Sequence, residues 1–387
     1  MAALDIERAD FLKDEDILIF EDSVGRFFAE HAPPERVEKW RRDGIVERAM
    51  WREAGEAGLL CLSVPEQYGG QGGDFRHEAI LTEEIGRRQV SGFAASLHNA
   101  IVAPYILHYG SDEQKKRWLP KMASGEFIGA IAMTEPGAGS DLQGVRTTAR
   151  LNGNHYVIDG QKTFISNGQL ADLVIVVAKT DPLKGAKGTS LIVVETADAS
   201  GFHRGRNLDK IGMEAQDTSE LFFDGVRVPT SNLLGPQEGQ GFAQLMQQLP
   251  QERLSIAIGG AAVIERALED TIAYVKERKA FGQRIIDFQN TQFKLAECKT
   301  EATVARVFID RLIGLHLEGK LDAATASMAK YWVTDLENKI VDACLQLFGG
   351  FGYMNEYPIA RMFRDSRVQR IYGGANEIMK VLIARTL

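Results

Sequence analysis

The spacing of apolar residues changes twice along the chain, and those two changes constrain the fold more than any single motif. From Asp14 to Ala123 the pattern is helical: Ile17, Leu18, Val24, Phe27 and Phe28 recur at three- and four-residue intervals, as do Ile101, Val102, Tyr105 and Ile106. Between about Gly129 and Asn232 the apolar residues become β-branched, in His155-Tyr-Val-Ile158, Leu173-Val-Ile-Val-Val177, Ser190-Leu-Ile-Val-Val194 and Glu220-Leu-Phe-Phe223. Turn residues separate them, as at Asn152-Gly153-Asn154, Asp159-Gly160, Lys184-Gly185 and Asp224-Gly225. After Gly241 amphipathic helical runs return at roughly 252–278, 288–317 and 322–348, interrupted by glycine at 282 and 349–352. The predicted class is α+β: an N-terminal helical domain over 1–128, a middle antiparallel β-domain over 129–238 and a C-terminal four-helix bundle over 239–387.

Composition excludes several classes of function. The longest apolar run, Leu254 to Ile264, is too short to cross a bilayer, so no membrane span is expected. The first ten residues carry three acids, unlike a signal or transit peptide, and the expected location is cytoplasmic. A net charge of −8 argues against a nucleic-acid partner. Cys61, Cys298 and Cys344 have neither metal nor redox spacing and read as reduced packing thiols, and no His-Glu-x-x-His arrangement occurs, so no metal is expected.

At the helical-to-strand junction lies Ile131-Ala-Met-Thr-Glu-Pro-Gly-Ala-Gly-Ser-Asp-Leu-Gln-Gly144. Pro136, Gly137, Ala138 and Gly139 let the backbone turn tightly and approach a flat ligand, and Thr134, Ser140 and Asp141 add hydrogen-bonding groups. By itself the stretch reads equally as a polar turn, and Leu142 stands where a dinucleotide fingerprint would need its third glycine. The glycine-rich Val64–Gly73 reads as a turn, and Ser111-Asp112-Glu113 as a helix start. Glu252 is the oddity of the third region, falling on one helical stripe with Leu249, Ile256 and Gly259 that should be buried. A buried carboxylate needs a partner or a task. Arg253 is poorly placed on the helix to pair with it, so an ion pair elsewhere in the bundle competes with a functional reading. Desolvation would raise its pKa, while a helix starting at Pro250 would lower it.

Two long patterns give the chain a resemblance to the acyl-CoA dehydrogenase family from end to end: Ala132–Gly144, and Gln346-Leu-Phe-Gly-Gly-Phe-Gly-Tyr-Met-Asn-Glu-Tyr-Pro-Ile-Ala-Arg-Met-Phe-Arg-Asp365. The resemblance implies FAD. It places Ile131, Ala132, Met133, Thr134, Gly139 and Ser140 at the flavin edge, with Phe164, Ile165 and Ser166 along its face and the Ser166 hydroxyl near N5. Arg278, Phe281, Gln289, Gln346, Leu347, Phe348, Gly349 and Gly350 resemble positions holding the FAD diphosphate and adenine across a subunit boundary, implying a homo-oligomer, a dimer of dimers. Ala375, Asn376 and Glu377 would also lie by the cofactor. Phe242, Leu249, Pro250, Arg253, Tyr372 and Gly374, together with Ser140 and Gly373, would line the acyl-CoA site.

The departures from the family pattern are Phe164 where Trp is frequent, Ala375 where Thr is, and Gly373 where many members carry the catalytic glutamate. The long-chain and isovaleryl enzymes are similar in having that carboxylate on the bundle helix, which points to Glu252 as general base, with Gly373 keeping its N–H and vacating side-chain space. The reaction implied is α,β-dehydrogenation of a fatty acyl-CoA to the trans-2-enoyl-CoA, as in fatty acid β-oxidation. Long-chain substrates are the first reading and branched or short ones the second. Electron-transfer flavoprotein is the implied acceptor. An acyl-CoA oxidase, a flavoenzyme acting on another carbon acid and a non-catalytic acyl-CoA-binding protein are the alternatives.

Overall fold

The computed structural model describes residues 3–387; residues 1 and 2, at the head of the first expected domain, lie outside the described residues. Helices α1 (Glu15–His31), α2 (Pro34–Asp43), α3 (Arg48–Glu56) and α4 (Phe75–Arg87) open the chain. The short α5 (Ala95–Leu97) continues through a π-helical turn, His98–Val102, into α6 (Ala103–Tyr109), and α7 (Asp112–Ala123) follows. Ser111 starts α7 as its sequence predicts: its hydroxyl accepts from the Gln114 amide (3.2 Å), while the Gln114 side chain accepts from the Ser111 amide (2.8 Å). The Val64–Gly73 segment is a compact turn in which Gly70 lies against the Val64 carbonyl.

Seven strands form the middle sheet: β1 (Gly129–Ala132), β2 (Thr148–Asn152), β3 (His155–Ser166), β4 (Leu173–Lys179), β5 (Thr189–Glu195), β6 (Phe202–Asn207) and β7 (Thr218–Pro229). Most pairings are antiparallel, but the all-antiparallel expectation needs correction. β1 runs parallel to β4, with Gly129 opposite Leu173 and Ala132 opposite Val176, and β2 meets β4 in parallel at Thr148–Lys179. The reason is visible in β4 itself: every residue from Leu173 to Lys179 is buried, so the strand is covered on both faces and can accept a parallel neighbour.

The third region holds α8 (Gly241–Glu277), a hairpin of β8 (Lys279–Ala280) and β9 (Gln283–Arg284), α9 (Gln289–Leu317), α10 (Ala323–Phe348), α11 (Pro358–Ser366) and α12 (Asn376–Ala384). Leu254, Ile258, Leu268, Ile309, Ile313, Val333 and Ile340 build one apolar core between the long helices. Helix α4 is drawn onto it by ion pairs, since the Glu83 carboxylate, with no exposed surface, takes Arg306 of α9 at 2.6 Å and Arg8 at 3.0 Å. This seam fixes α4 beside α8, and the two helices wall the site described next. Among the described residues no helix is long and apolar enough to cross a membrane.

Candidate active site

A cavity of about 710 Å³ opens where the three regions meet. Helices α4 and α8, the 89–101 segment, the 131–143 loop, the end of β3 and the loop before α12 supply its walls. That volume is ordinary for a ligand site.

The loop keeps its shape through a group that the sequence reading missed. Glu135 and Ala138 exchange backbone hydrogen bonds (2.9 and 3.1 Å), making the tight turn. The Glu135 side chain then folds inward, accepting from the Arg146 and Thr147 amides (2.7 and 2.9 Å) and from the Lys162 ammonium (2.8 Å). Lys162 is fully buried and also donates to the Met133 and Val177 carbonyls. Anchored in this way, the loop turns Ile131, Met133, Thr134, Gly139 and Ser140 to the cavity, and a Cβ on Gly139 would meet nothing within 4 Å. At the end of β3, Phe164, Ile165 and Ser166 complete the wall. Phe164 has φ 60° and is 67% exposed, an unfavourable backbone and an uncovered ring at one position. A flat, apolar face with hydroxyls at its edge is what an isoalloxazine needs, so these residues fit FAD. Ala132 points instead into the sheet core and is fully buried.

On the opposite wall Glu252 is 5% exposed, as its stripe predicts. Its expected partner is corrected: among the described residues it makes no ion pair, and Oε1 accepts from the Tyr105 hydroxyl at 2.8 Å. The helix does not begin at Pro250 either; α8 starts at Gly241, so Glu252 lies far from the positive helix end. Burial therefore dominates and pushes its pKa up to about 7, opposed by the Tyr105 hydrogen bond and then the Arg253 charge. Arg253 also lines the cavity, held by Ser327 at 3.3 Å, with Nε unpartnered among the described residues. Phe242 and Leu249 line it too, whereas Pro250 does not.

Tyr372, Gly373 and Gly374 line the same cavity as Glu252. Gly373 (φ 63°) and Gly374 (φ 96°) are both left-handed, a backbone that only glycine adopts at little cost. The buried ammonium of Lys330 donates to the Gly374 carbonyl (2.7 Å) and to Asn376 Oδ1 (2.9 Å), tying this loop to α10. The expected free space at Gly373 is corrected, because the tip of Ile256 occupies the position of a Cβ there. Asn376 is not at the cavity: its amide nitrogen donates to Tyr331, Thr334 and Asp335. Ala375 caps α12 and Glu377 is exposed in its first turn; neither lines the cavity.

The remaining cofactor positions form a second, separate depression, lined by Arg278 and Gln346, Leu347, Phe348, Gly349 and Gly350. Arg278 lies over the Phe351 ring at 5.3 Å, leaving a cation beside an open glycine pair. Phe281, at the tip of the β8–β9 hairpin, and Gln289 are exposed and do not line it.

The profile of the acyl-CoA dehydrogenase N-terminal domain matches residues 14–126, that of the middle domain 130–226 and that of the C-terminal domain 239–387. The chain belongs to the acyl-CoA dehydrogenase family. Within it, the chain is 52% identical over 371 residues to the mitochondrial long-chain specific acyl-CoA dehydrogenase of Sus scrofa, covering 95% of this chain and 86% of that one. It is 48% identical to the crystal structure of an acyl-CoA dehydrogenase from Geobacillus kaustophilus, with a TM-score of 0.94 over 96% of this chain and 98% of that one. A glutaryl-CoA dehydrogenase from Mycobacterium smegmatis in complex with FADH2 is 30% identical, with a TM-score of 0.92 over 100% and 97% of the two chains.

Proposed function

We propose that the protein is an FAD-dependent fatty acyl-CoA dehydrogenase, acting on long acyl chains, with Glu252 as its general base. The observation that carries the base assignment is a buried carboxylate, poised near neutrality, that lines the same cavity as Gly373, whose loop packs against Ile256 one helical turn further along α8. A base works best when its pKa lies near the operating pH, and burial supplies that shift here.

Glu252 removes the α-proton of the bound thioester. An unactivated thioester is too weak an acid for a carboxylate unless its carbonyl oxygen meets hydrogen-bond donors as enolate charge develops. The Gly373 amide is such a donor, and Lys330 holds its loop in place. Tyr105 fixes the orientation of the carboxylate. Bound FAD supplies the hydride acceptor for the β-carbon, a two-electron sink the polypeptide lacks. Arg253, buried and only partly satisfied, suits the thioester or its phosphorylated arm.

Residues 131–140 and 164–166 would hold the flavin ring, and the second depression would hold the diphosphate and adenine of a neighbouring subunit's FAD. A homo-oligomer is therefore part of the proposal, supported by the separation of the two depressions and by the 96% exposed Phe281 beside the second. Electron-transfer flavoprotein is the proposed acceptor.

The test is anaerobic addition of hexadecanoyl-CoA to the purified yellow protein. Flavin bleaching is expected in the native chain and should be lost in Glu252→Gln with FAD retained. Bleaching at the native rate in that variant would remove Glu252 from the mechanism.

A further inference from the structure

The stripe of α8 that carries Glu252 continues beyond it. Ile256, Gly259 and Val263 follow at helical spacing and line the cavity, together with Thr82, Ile85 and Gly86 of α4. Ile256, Gly259 and Val263 keep accessible surface, whereas Ala257, Ile258, Gly260, Ala261 and Ala262 around them are buried, so this stripe faces a channel and not the bundle core. The channel wall suits an alkyl chain. Its one side-chain polar group among these six residues, the Thr82 hydroxyl, is turned back onto the Glu78 carbonyl of its own helix at 2.8 Å.

Glycine inside a helix costs stability relative to alanine, so each glycine where α4 meets α8 needs a reason. Packing supplies one for two of them. A Cβ on Gly86 would lie 3.1 Å from the Ala262 Cβ and 3.2 Å from the Gly259 carbonyl oxygen, too close without a shift of the helices. A Cβ on Gly260 would crowd Glu337 Oε2 at 3.2 Å and Gln369 Oε1 at 3.4 Å, which belong to a pair joined by a hydrogen bond of 2.9 Å. Gly259 has no such neighbour. Among the described residues a Cβ there would meet Thr82 Cγ2 alone, at 3.6 Å, an ordinary contact. What its missing side chain leaves is open cross-section in the channel, opposite Thr82.

We infer that Gly259 is a specificity-determining residue: it holds the channel open between α4 and α8 at the depth a long acyl chain must pass, and a side chain there limits the enzyme to medium chains. This rests on the acyl-CoA reading of the cavity. Gly259 lies seven residues beyond Glu252, about 10 Å of helix at about 1.5 Å per residue. With C–C bonds of about 1.5 Å an extended chain advances about 1.3 Å per carbon, so with its α-carbon at Glu252 it reaches Gly259 at roughly carbon 10.

The test compares kcat/KM for octanoyl-, dodecanoyl- and hexadecanoyl-CoA in the native holoenzyme and in Gly259→Leu. Each methylene kept out of apolar surroundings is worth about fourfold in binding, so hexadecanoyl-CoA should lose about a hundredfold or more in the variant while octanoyl-CoA loses about threefold at most. Thr82→Leu, which fills the same gap from α4, should shift the preference in the same direction. A hexadecanoyl-to-octanoyl ratio unchanged in both variants, or an equal loss at every chain length in both, would overturn the inference. Melting temperatures provide a second reading. Gly259→Ala should keep or raise the native value and Gly86→Ala should lower it; an equal fall in both would make Gly259 a packing glycine and overturn the inference as well. The same chain-length selectivity should appear in the dissociation constants of the three acyl-CoAs measured in Glu252→Gln with and without Gly259→Leu. Binding needs no turnover, so selective binding without flavin bleaching in the native enzyme would count against the dehydrogenase reading and leave the channel assignment standing.

Discussion

Glu135, in the loop of the β-domain, and Glu252, on α8, are buried to similar degrees at 7% and 5% exposure, yet their environments push them in opposite directions. Glu135 meets the Lys162 ammonium at 2.8 Å and two backbone amides, and these outweigh burial to hold it below the usual carboxylate range. Glu252 has one phenol as its hydrogen-bond partner and sits beside a cation that is not in contact with it, so burial prevails and its pKa rises to about 7. Burial alone therefore does not make a base. A close cation turns a buried acid into an anchor, and its absence leaves an acid able to exchange protons near neutral pH.

The strongest challenge to that contrast is Glu252→Gln. Turnover should fall by about a thousandfold or more, on the scale of general-base catalysis, with FAD content and melting temperature nearly unchanged. At the other acid the effect should be on stability. Lys162→Met strands Glu135 as a buried, uncompensated charge and should cost about 3–5 kcal/mol, read as a lower urea midpoint. The same variant made as Lys162→Met/Glu135→Leu should recover much of that loss. If Lys162→Met instead left the midpoint unchanged, Glu135 would not be the anchor described.

Lys330→Met tests whether the Gly373 loop is held from α10. Removing the ammonium frees the Gly374 carbonyl, so kcat should fall by roughly 10²–10³-fold, the scale of one lost oxyanion donor, with a smaller change in KM. Tyr105→Phe is the mildest. The tyrosine hydrogen bond favours the ionised form of Glu252, so its loss raises the pKa further. Because the base acts deprotonated, the native rate should climb as pH rises through about 7, and this acid limb should move to higher pH in Tyr105→Phe by roughly one to two units, given about 1.5–3 kcal/mol for a hydrogen bond to a charge. An unmoved limb would separate the tyrosine from the titration.

The parts legible in the sequence are those written in local periodicity. Long α8, α9 and α10 follow from their amphipathic runs, Ser111 from its capping pattern, and the burial of Glu252 from its stripe. The β4 strand was legible as a strand, but its all-apolar run also signals two covered faces, which alternation alone does not reveal. The partners were not legible. Tyr105 stands 147 residues before Glu252 and belongs to an ordinary apolar stripe, and Lys330 stands 44 residues before Gly374. Asn376 carries no local sign that α10 would take its amide. The pair Glu337–Gln369 joins two separate elements, and neither residue stands out in its own segment.

By itself the sequence determined the order of helical, strand and helical regions and the placing of Glu252 on a buried face, while the family followed from the resemblance carried by Ala132–Gly144 and Gln346–Asp365. The region order and the burial of Glu252 depend on spacing within a single element, where side-chain direction follows from backbone geometry. Only the tertiary structure decided which buried acids are neutralised by a cation and which are left to titrate. It also decided that Ile256 fills the space over Gly373. Those outcomes depend on distances of about 3 Å between groups far apart in the chain, and hydrogen bonds and ion pairs fall off too steeply with distance for any sequence pattern to encode them.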